Sequence, residues 1–341
     1  MLRQRYWMLA AVAAARGSCA FAAPQSGTSD LSAALFGLRP SAIGVSLSPN
    51  GNQVAYVTPA AGGAAVAFIA NVQTGNAKPF LRSGKDGERL SWCKFVTEQR
   101  LVCQYGGVVD SAGVLLPYSR LIAVNSDGSA LKELGNSGSY YAIHSARDRQ
   151  YGGDIIDWLP GSGGSVLMQH VRRIEGLGVD RIDTNTGKIT AVQGARRDAS
   201  FYLSDGVGNV RVMGAAGTAN GVVDQLLTGK TRYYYRPVGT HDWKTLIDFV
   251  KDEDLDALAV DPTDNALYLL KPFNGRKALY RMKLDGSGAT ELVASHPKVD
   301  IDNVVRSANG QKVIGYSYSI DKRQVEYFDP EYRALSEALS N

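Results

Sequence analysis

The sequence lacks the usual patterns of hydrolytic and cofactor-dependent active sites. It contains no Gly-x-Ser-x-Gly nucleophile motif, no Gly-rich phosphate loop before a helix and no βαβ alternation to carry either. The four histidines are far apart, and none belongs to a His-Glu-x-x-His zinc motif; they are His144, His170, His241 and His296. We therefore predict no catalytic residue, no cofactor site and no metal site in this chain.

Charge of one sign and long apolar runs are also scarce. The 341 residues contain 37 Lys and Arg against 33 Asp and Glu, without a basic stripe, which argues against a nucleic-acid partner. The longest apolar run near the start, residues 6–15, is shorter than the about 20 residues needed to span a bilayer. No later segment is long and apolar enough to do so. We therefore expect no stable membrane insertion.

The first 22 residues have the features of an export signal. Arg3 and Arg5 precede the apolar run, and Ala20-Phe21-Ala22 has the form of a cleavage site. An uncleaved anchor is the alternative, whereas Arg16 argues against lipidation of Cys19. Removal of residues 1–22 takes away three arginines and no acid, so the net charge falls from +4 to +1 (4 − 3). We predict a periplasmic or secreted protein with a lead-in at residues 23–42.

Glycine and tyrosine are abundant, and the chain repeats one pattern. The 37 Gly and 17 Tyr suit short strands joined by tight turns. An apolar strand, a turn and a second apolar strand recur roughly every 50 residues, near the period of propeller repeats. The six turns are marked by Pro49, Glu98, Pro160, Gly206, Pro262 and Asn309.

Most of these units are followed by a second hairpin. These hairpins are predicted at residues 68–80, 121–134, 179–190, 233–246 and 279–293. Two hairpins make a blade of four antiparallel strands. The sequence thus predicts an all-β fold, a β-propeller of six or seven four-stranded blades over residues 43–328. Paired β-sandwiches or a β-helix are the alternatives.

The end of the chain predicts a short helix over residues 329–341. Asp329 suits the N-cap, Pro330 the first helical position and Glu331 the acidic first turn. An apolar stripe follows, at Tyr332, Leu335, Ala338 and Leu339. A helix this short is marginal alone, so its stripe needs a partner, either the propeller rim or something outside this chain.

Two cysteines lie in one predicted hairpin. A loop at residues 97–99 places Cys93 opposite Cys103 on the same face. In an exported protein this favours a cross-strand disulfide. Two buried free thiols or, with less support, a metal pair are the alternatives.

Other polar and aromatic runs are interpreted as structural. The acidic run at Asp252, Glu253, Asp254 and Asp256 suits an exposed loop, although paired carboxylates are also the chemistry of glycosidases. Tyrosines at 140–141 and 233–235 suit packing in strands, with stacking on a ligand as the alternative. Arginine pairs at 172–173 and 196–197 suit solvated loops, or a grip on a carboxylate.

The repeats resemble the N-terminal propeller of the prolyl oligopeptidase family of serine peptidases, in its exported bacterial dipeptidyl- and acylaminoacyl-peptidase-like branch. The resemblance covers roughly residues 30–340. It rests on the blade turn Leu47-Ser48-Pro49-Asn50-Gly51 and on segments 89–93, 100–103, 284–288 and 329–332. TolB-like propellers share the Ser-Pro-Asn-Gly turn.

The resemblance implies a propeller that caps an α/β-hydrolase and admits short peptides. The hydrolase domain is absent from this sequence, so no catalytic residue is carried over, and whether the chain is an enzyme is left open. The expected function is a non-catalytic domain that gates or binds peptide, with a peptide or an α/β-hydrolase domain as partner. A TolB-like periplasmic scaffold for another protein and a stand-alone hydrolase are the alternatives.

Overall fold

Antiparallel strands follow one another as hairpins through nearly the whole described chain. The computed structural model describes residues 39–60, 63–84, 88–111, 113–135, 152–172, 175–218, 227–307 and 310–340. The chain divides into two units, residues 1–40 and 41–341. The predicted signal segment, Tyr140, Tyr141, His144, Arg173 and Asn309 lie outside the described residues.

Within the described residues, twenty-three strands form six sheets, each a meander in chain order. The first three sheets contain β1 (Ile43–Leu47), β2 (Gln53–Pro59), β3 (Ala65–Asn71) and β4 (Ala77–Arg82); β5 (Arg89–Phe95), β6 (Arg100–Ser111), β7 (Val114–Asn125) and β8 (Lys132–Glu133); and β9 (Asp154–Asp157), β10 (Ser165–Arg172), β11 (Gly176–Asp183) and β12 (Ile189–Arg196).

The last three sheets continue the same order. They contain β13 (Ala199–Ser204), β14 (Val210–Thr218), β15 (Leu227–Tyr235) and β16 (Lys244–Lys251); β17 (Asp256–Asp261), β18 (Ala266–Phe273), β19 (Arg276–Lys283) and β20 (Thr290–Ala294); and β21 (Ile301–Arg306), β22 (Val313–Ser319) and β23 (Arg323–Tyr327). A 3-10 turn spans Asp252–Asp254, and one helix, α1, spans Pro330–Ser340.

The fold is a six-bladed propeller. The five described turn marks, Pro49, Glu98, Pro160, Gly206 and Pro262, each lie between the first and second strands of a blade. This confirms the predicted propeller, and the described part of the sixth blade contains three of its strands. After β23 the chain turns into α1, which begins at Pro330. Asp329 caps this helix, since its Oδ1 accepts the Glu331 N–H at 2.9 Å.

Buried apolar clusters lie between successive blades. One joins blades 1 and 2 around Val57, Cys93 and Leu101, and the others join blades 2 and 3, 3 and 4, 4 and 5, and 5 and 6. Each blade thus buries its faces against its neighbours, which lets a long chain fold without one large core. On the outer face of blade 1, in contrast, Val45 is 67 % exposed and Leu47 is 58 % exposed.

Cys93 and Cys103 form a disulfide inside this packing. They are directly opposed partners of β5 and β6, in the predicted register. Both are fully buried, in the cluster between blades 1 and 2. The disulfide therefore links the two innermost strands of blade 2.

Candidate functional site: the propeller axis

The first strand of each blade lies nearest the propeller axis. Contacts between blades join first strands to one another, in the pairs β1–β5, β9–β13, β13–β17 and β17–β21. Charge interactions also link non-adjacent blades, since Arg306 at the end of β21 acts on Lys94 of β5. Side chains of blades 2 and 6 approach each other only across the centre of the ring. The ends of the first strands therefore converge on the axis.

The turns at these strand ends are stabilised by a polar side chain at the start of the turn, which accepts a backbone hydrogen bond. Ser48 Oγ accepts the N–H of Gln53 at 3.0 Å, and Ser307 Oγ accepts that of Lys312 at 3.1 Å. Asp205 Oδ1 accepts the N–H of Asn209 at 3.1 Å. Short side chains with an acceptor oxygen are favoured here because they replace a missing backbone partner. This explains the Ser-Pro-Asn-Gly pattern and its relatives.

Two aspartates at these strand ends also reach the next blade. Asp157 Oδ2 accepts the Gly208 N–H at 2.9 Å, and Asp261 Oδ2 accepts the Val313 N–H at 2.8 Å. Both aspartates are buried, with 3 % and 2 % exposure. Their carboxylates are therefore occupied in joining blade 3 to blade 4 and blade 5 to blade 6.

One cation, Arg306, interacts with these carboxylates. Arg306 donates from Nη1 to the Gly310 carbonyl at 3.1 Å and from Nη2 to the Val260 carbonyl at 3.4 Å. Burial lowers the pKa of Arg306, and the charges of Asp157, Asp261 and Asp205 oppose that shift. The guanidinium thus has its counter-charges on the same end of the ring.

Lys94 has no such counter-charge. Burial lowers its pKa, and the positive charge of Arg306 lowers it further. Among the described residues, the ammonium makes no hydrogen bond or ion pair. Its one described partner is the ring of Trp158, whose centroid lies 4.3 Å from Nζ. An ammonium above an indole face is a cation–π contact, which compensates only in part for lost hydration.

A second tryptophan completes this wall. Trp92, two residues before Lys94 on β5, meets Trp158 edge to face at a centroid distance of 6.0 Å. Its Nε1 donates to Gln104 Oε1 at 3.1 Å, which fixes the ring. We call Lys94, Trp92, Trp158 and Arg306 the axial cation site.

The histidines are spread over other parts of the fold. His170 Nε2 bonds Asp180, a carboxylate that also holds Arg172. His241 is exposed. His296 stacks on Tyr318, with centroids 4.7 Å apart. None of these three described histidines bonds a serine or a cysteine, and no group of three or more metal-binding side chains occurs in the described part of the chain.

The remaining sequence candidates have structural roles. The acidic run forms the exposed 3-10 turn, and Asp256 pairs with Lys277 at 2.5 Å. Tyr233 and Tyr235 are buried in the cluster between blades 4 and 5. Arg196 pairs with Asp198 at 2.7 Å. The tyrosines agree with the packing interpretation and the acidic turn with the loop interpretation, whereas Arg172 and Arg196 lie at the ends of β10 and β12 and not in loops.

A surface pocket of about 500 Å³ lies between blades 5 and 6, next to Asp261. Its charged lining includes Arg281, which pairs with both Asp264 and Glu291. These charges are therefore matched within the pocket. Sequence reasoning missed the axial cation site, since Lys94 carries no motif and its neighbours come from distant blades.

The described residues contain no helix of the length and apolarity that a bilayer crossing requires.

Comparison with known proteins gives similarity in fold. No protein-family model matches the sequence, and no curated protein matches it. A prolyl endopeptidase structure superposes with a TM-score of 0.52 and 14% identity, over 84% of this chain and 39% of that chain. The acylaminoacyl peptidase of Pyrococcus horikoshii superposes with a TM-score of 0.48 and 12% identity, over 88% of this chain and 47% of that chain. The β-propeller domain of the trilobed protease from Pyrococcus furiosus superposes with a TM-score of 0.43 and 14% identity, over 85% of this chain and 86% of that chain. The chain spans half or less of the two peptidases, and the likeness is one of propeller fold.

Proposed function

We propose that this chain is a non-catalytic propeller domain that binds or gates peptide substrates for an α/β-hydrolase module. The observation that carries the proposal is the axial cation site. A partly desolvated ammonium with aromatic walls, at the centre of a ring, is a group with binding capacity that the fold itself does not use. Propellers commonly bind ligands at their centre and on their loop faces.

The helix α1 supports the second half of the proposal. Tyr332 stacks on Tyr327 with centroids 6.2 Å apart, so the start of the helix packs on the sixth blade. Leu335 and Leu339 are 56 % and 79 % exposed. This apolar stripe, left uncovered by the rim, suits a contact with the hydrolase module. A buried disulfide suits export to an oxidising compartment, so we place the domain in the periplasm or outside the cell.

The first experiment measures labelling and binding together. The purified chain is treated with a fluorophosphonate serine-hydrolase probe and is titrated, by calorimetry, with short peptides and with a folded protein. We expect no labelling, and binding of the peptides but not of the folded protein. Labelling of the chain alone would contradict the proposal, because a nucleophilic serine would then be assembled within the propeller. One stoichiometric protein recovered from periplasm, without peptide binding, would favour the scaffold alternative.

A further inference from the structure

The axial cation site contains one positive charge for which the described residues provide no anion. Two other lysines have acidic partners. Lys277 pairs with Asp256, and Lys251 lies 3.6 Å from Glu253. Lys94 has only the face of Trp158. An unpaired ammonium that has lost part of its hydration is destabilising, so an incoming anion gains the compensation that the fold does not supply.

The acids near the axis do not fill this role. Asp157 and Asp261 use both carboxylate oxygens on backbone N–H groups of their own turn and of the next blade. Asp205 is bonded by N–H groups of its own turn and lies 3.9 Å from Arg211. The charges of all three act on Arg306, whereas the charged neighbour that acts on Lys94 is Arg306 itself.

The same arrangement restricts the kind of anion. Arg306 donates from both terminal nitrogens to the carbonyls of Gly310 and Val260, so two of its five N–H donors are engaged by the backbone. Lysine alone is a point charge. The three aspartates close to Arg306 oppose a dianion. A singly charged carboxylate therefore fits better than a phosphate.

The walls of the site add a second requirement. The ring of Trp158 covers the ammonium, and Trp92 extends this aromatic surface by packing edge to face on Trp158. Such surface excludes water, which strengthens a charge–charge contact, and it offers apolar area to the part of the ligand next to its carboxylate. A peptide terminus has both features, a monoanion and an adjoining backbone and side chain.

We propose that Lys94 binds the C-terminal carboxylate of a short peptide, with Trp158 and Trp92 packing against the terminal residue. This assignment rests on the proposed peptide-binding function and names its ligand group. Lys94 acts as a binding and selecting residue, and no bond is made or broken at the site.

The test compares three peptides on the intact chain, followed by calorimetry and by tryptophan fluorescence. The peptides are tetra-alanine with a free C-terminus, the same peptide amidated, and an amidated peptide with one glutamate. We expect the free acid to bind at least about tenfold more tightly than the amide, the discrimination typical of one charged hydrogen bond. Lys94→Met lowers the affinity for the free acid to that for the amide, whereas Lys94→Arg keeps the preference for the free acid.

Lys271 provides the matched control. Its ammonium also lies over an aromatic ring, that of Tyr280, at 5.4 Å, but on the second and third strands of blade 5. Lys271→Met is expected to leave all three affinities unchanged. Circular dichroism and the urea midpoint establish that each variant is folded. If Lys94→Arg keeps the preference for the free acid, substitution at this position does not by itself abolish binding through misfolding.

The outcomes separate this assignment from the proposed function. Equal affinity for acid and amide in the wild type, with no effect of Lys94→Met, overturns the carboxylate site but leaves peptide binding standing. Lys94-dependent binding of the glutamate peptide with the strength of the free acid supports the carboxylate site and overturns the terminus as its source. If no peptide binds, benzoate is the probe. Quenching of tryptophan fluorescence by benzoate that is lost in Lys94→Met then supports the carboxylate site, although the peptide function fails. No quenching by benzoate overturns both.

Discussion

Replacing Arg100 tests how two neighbouring blades are held together. Arg100 is the first residue of β6 and is only 2 % exposed. Its Nε donates to the Thr184 carbonyl of blade 3 at 3.1 Å, and Nη2 donates to the same oxygen. Nη1 donates to Asn125 Oδ1 and to the Ala130 carbonyl, both at 2.9 Å. One guanidinium thus connects the first hairpin of blade 2 to a turn of blade 3.

The cost of Arg100→Leu is worked from these partners. Thr184 is fully buried, so its carbonyl loses a charged donor that water does not replace, at about 1–3 kcal/mol. Asn125 and Ala130 lie nearer the surface, where water takes over part of their bonding. We expect the free energy of unfolding to fall by about 3 kcal/mol in total. For a chain of this size that corresponds to a melting temperature lower by about 5 °C.

The assay is urea denaturation followed by circular dichroism and by tryptophan fluorescence, since Trp92 and Trp158 lie in the two blades concerned. Arg100→Lys keeps a charge but lacks the fork, so about half of the loss is expected. Arg232→Leu is the control, because Arg232 pairs with Asp248 on the surface at 2.7 Å, where solvent screening leaves an ion pair with little effect on stability. A loss for Arg100→Leu no larger than that of the control would refute the reasoning.

Three further predictions follow from buried groups. The disulfide Cys93–Cys103 closes a loop with a sequence separation of 10, and the chain-entropy relation gives it a stabilisation of about 2.7 kcal/mol. Reduction after full unfolding should lower the free energy of unfolding of the refolded protein by that amount, whereas a Cys93→Ala/Cys103→Ala variant should be insensitive to reductant. Equal urea midpoints for the oxidised and the reduced wild type would contradict this. Burial raises the pKa of Tyr202 to about 12. The unfolded phenol ionises near pH 10, so unfolding releases a proton above that pH, and the free energy of unfolding falls as the pH rises from about 10 to 12. Between pH 8 and pH 11 the urea midpoint should therefore fall less for Tyr202→Phe than for the wild type. An equal fall in both proteins would be evidence against a raised pKa of Tyr202. A Cβ on Gly106 would lie 2.3 Å from the Tyr118 carbonyl of the paired strand. Gly106→Ala should therefore lower the free energy of unfolding by about 1–3 kcal/mol, which thermal melting measures. An unchanged melting temperature would count against the strand pairing.

The fold was largely predictable because its units are local. Each blade is made of hairpins whose turn residues and strands are close in sequence, so the turn marks at Pro49 and Pro262 were enough to place first and second strands. The paired cysteines were predictable for the same reason, since the length of one loop sets their register. The short helix at the end of the chain was predictable too, because its cap at Asp329 and its start at Pro330 are adjacent in sequence.

The candidate site was not predictable in the same way. Lys94 lies in an ordinary strand, and the charge of Arg306, the ring of Trp158 and the engaged carboxylates of Asp157 and Asp261 come from three other blades. No spacing along the chain encodes these neighbours.

By itself, the sequence determined the repeated hairpins, the residues at their turns, the cysteine pairing and the capped helix, because each depends on contacts over a few residues. Only the tertiary structure decided which charges meet on the axis and which acids are already engaged. The physical reason is that closing blades into a ring brings the ends of first strands together irrespective of their separation in sequence, and the burial and charge around each side chain are set by that assembly.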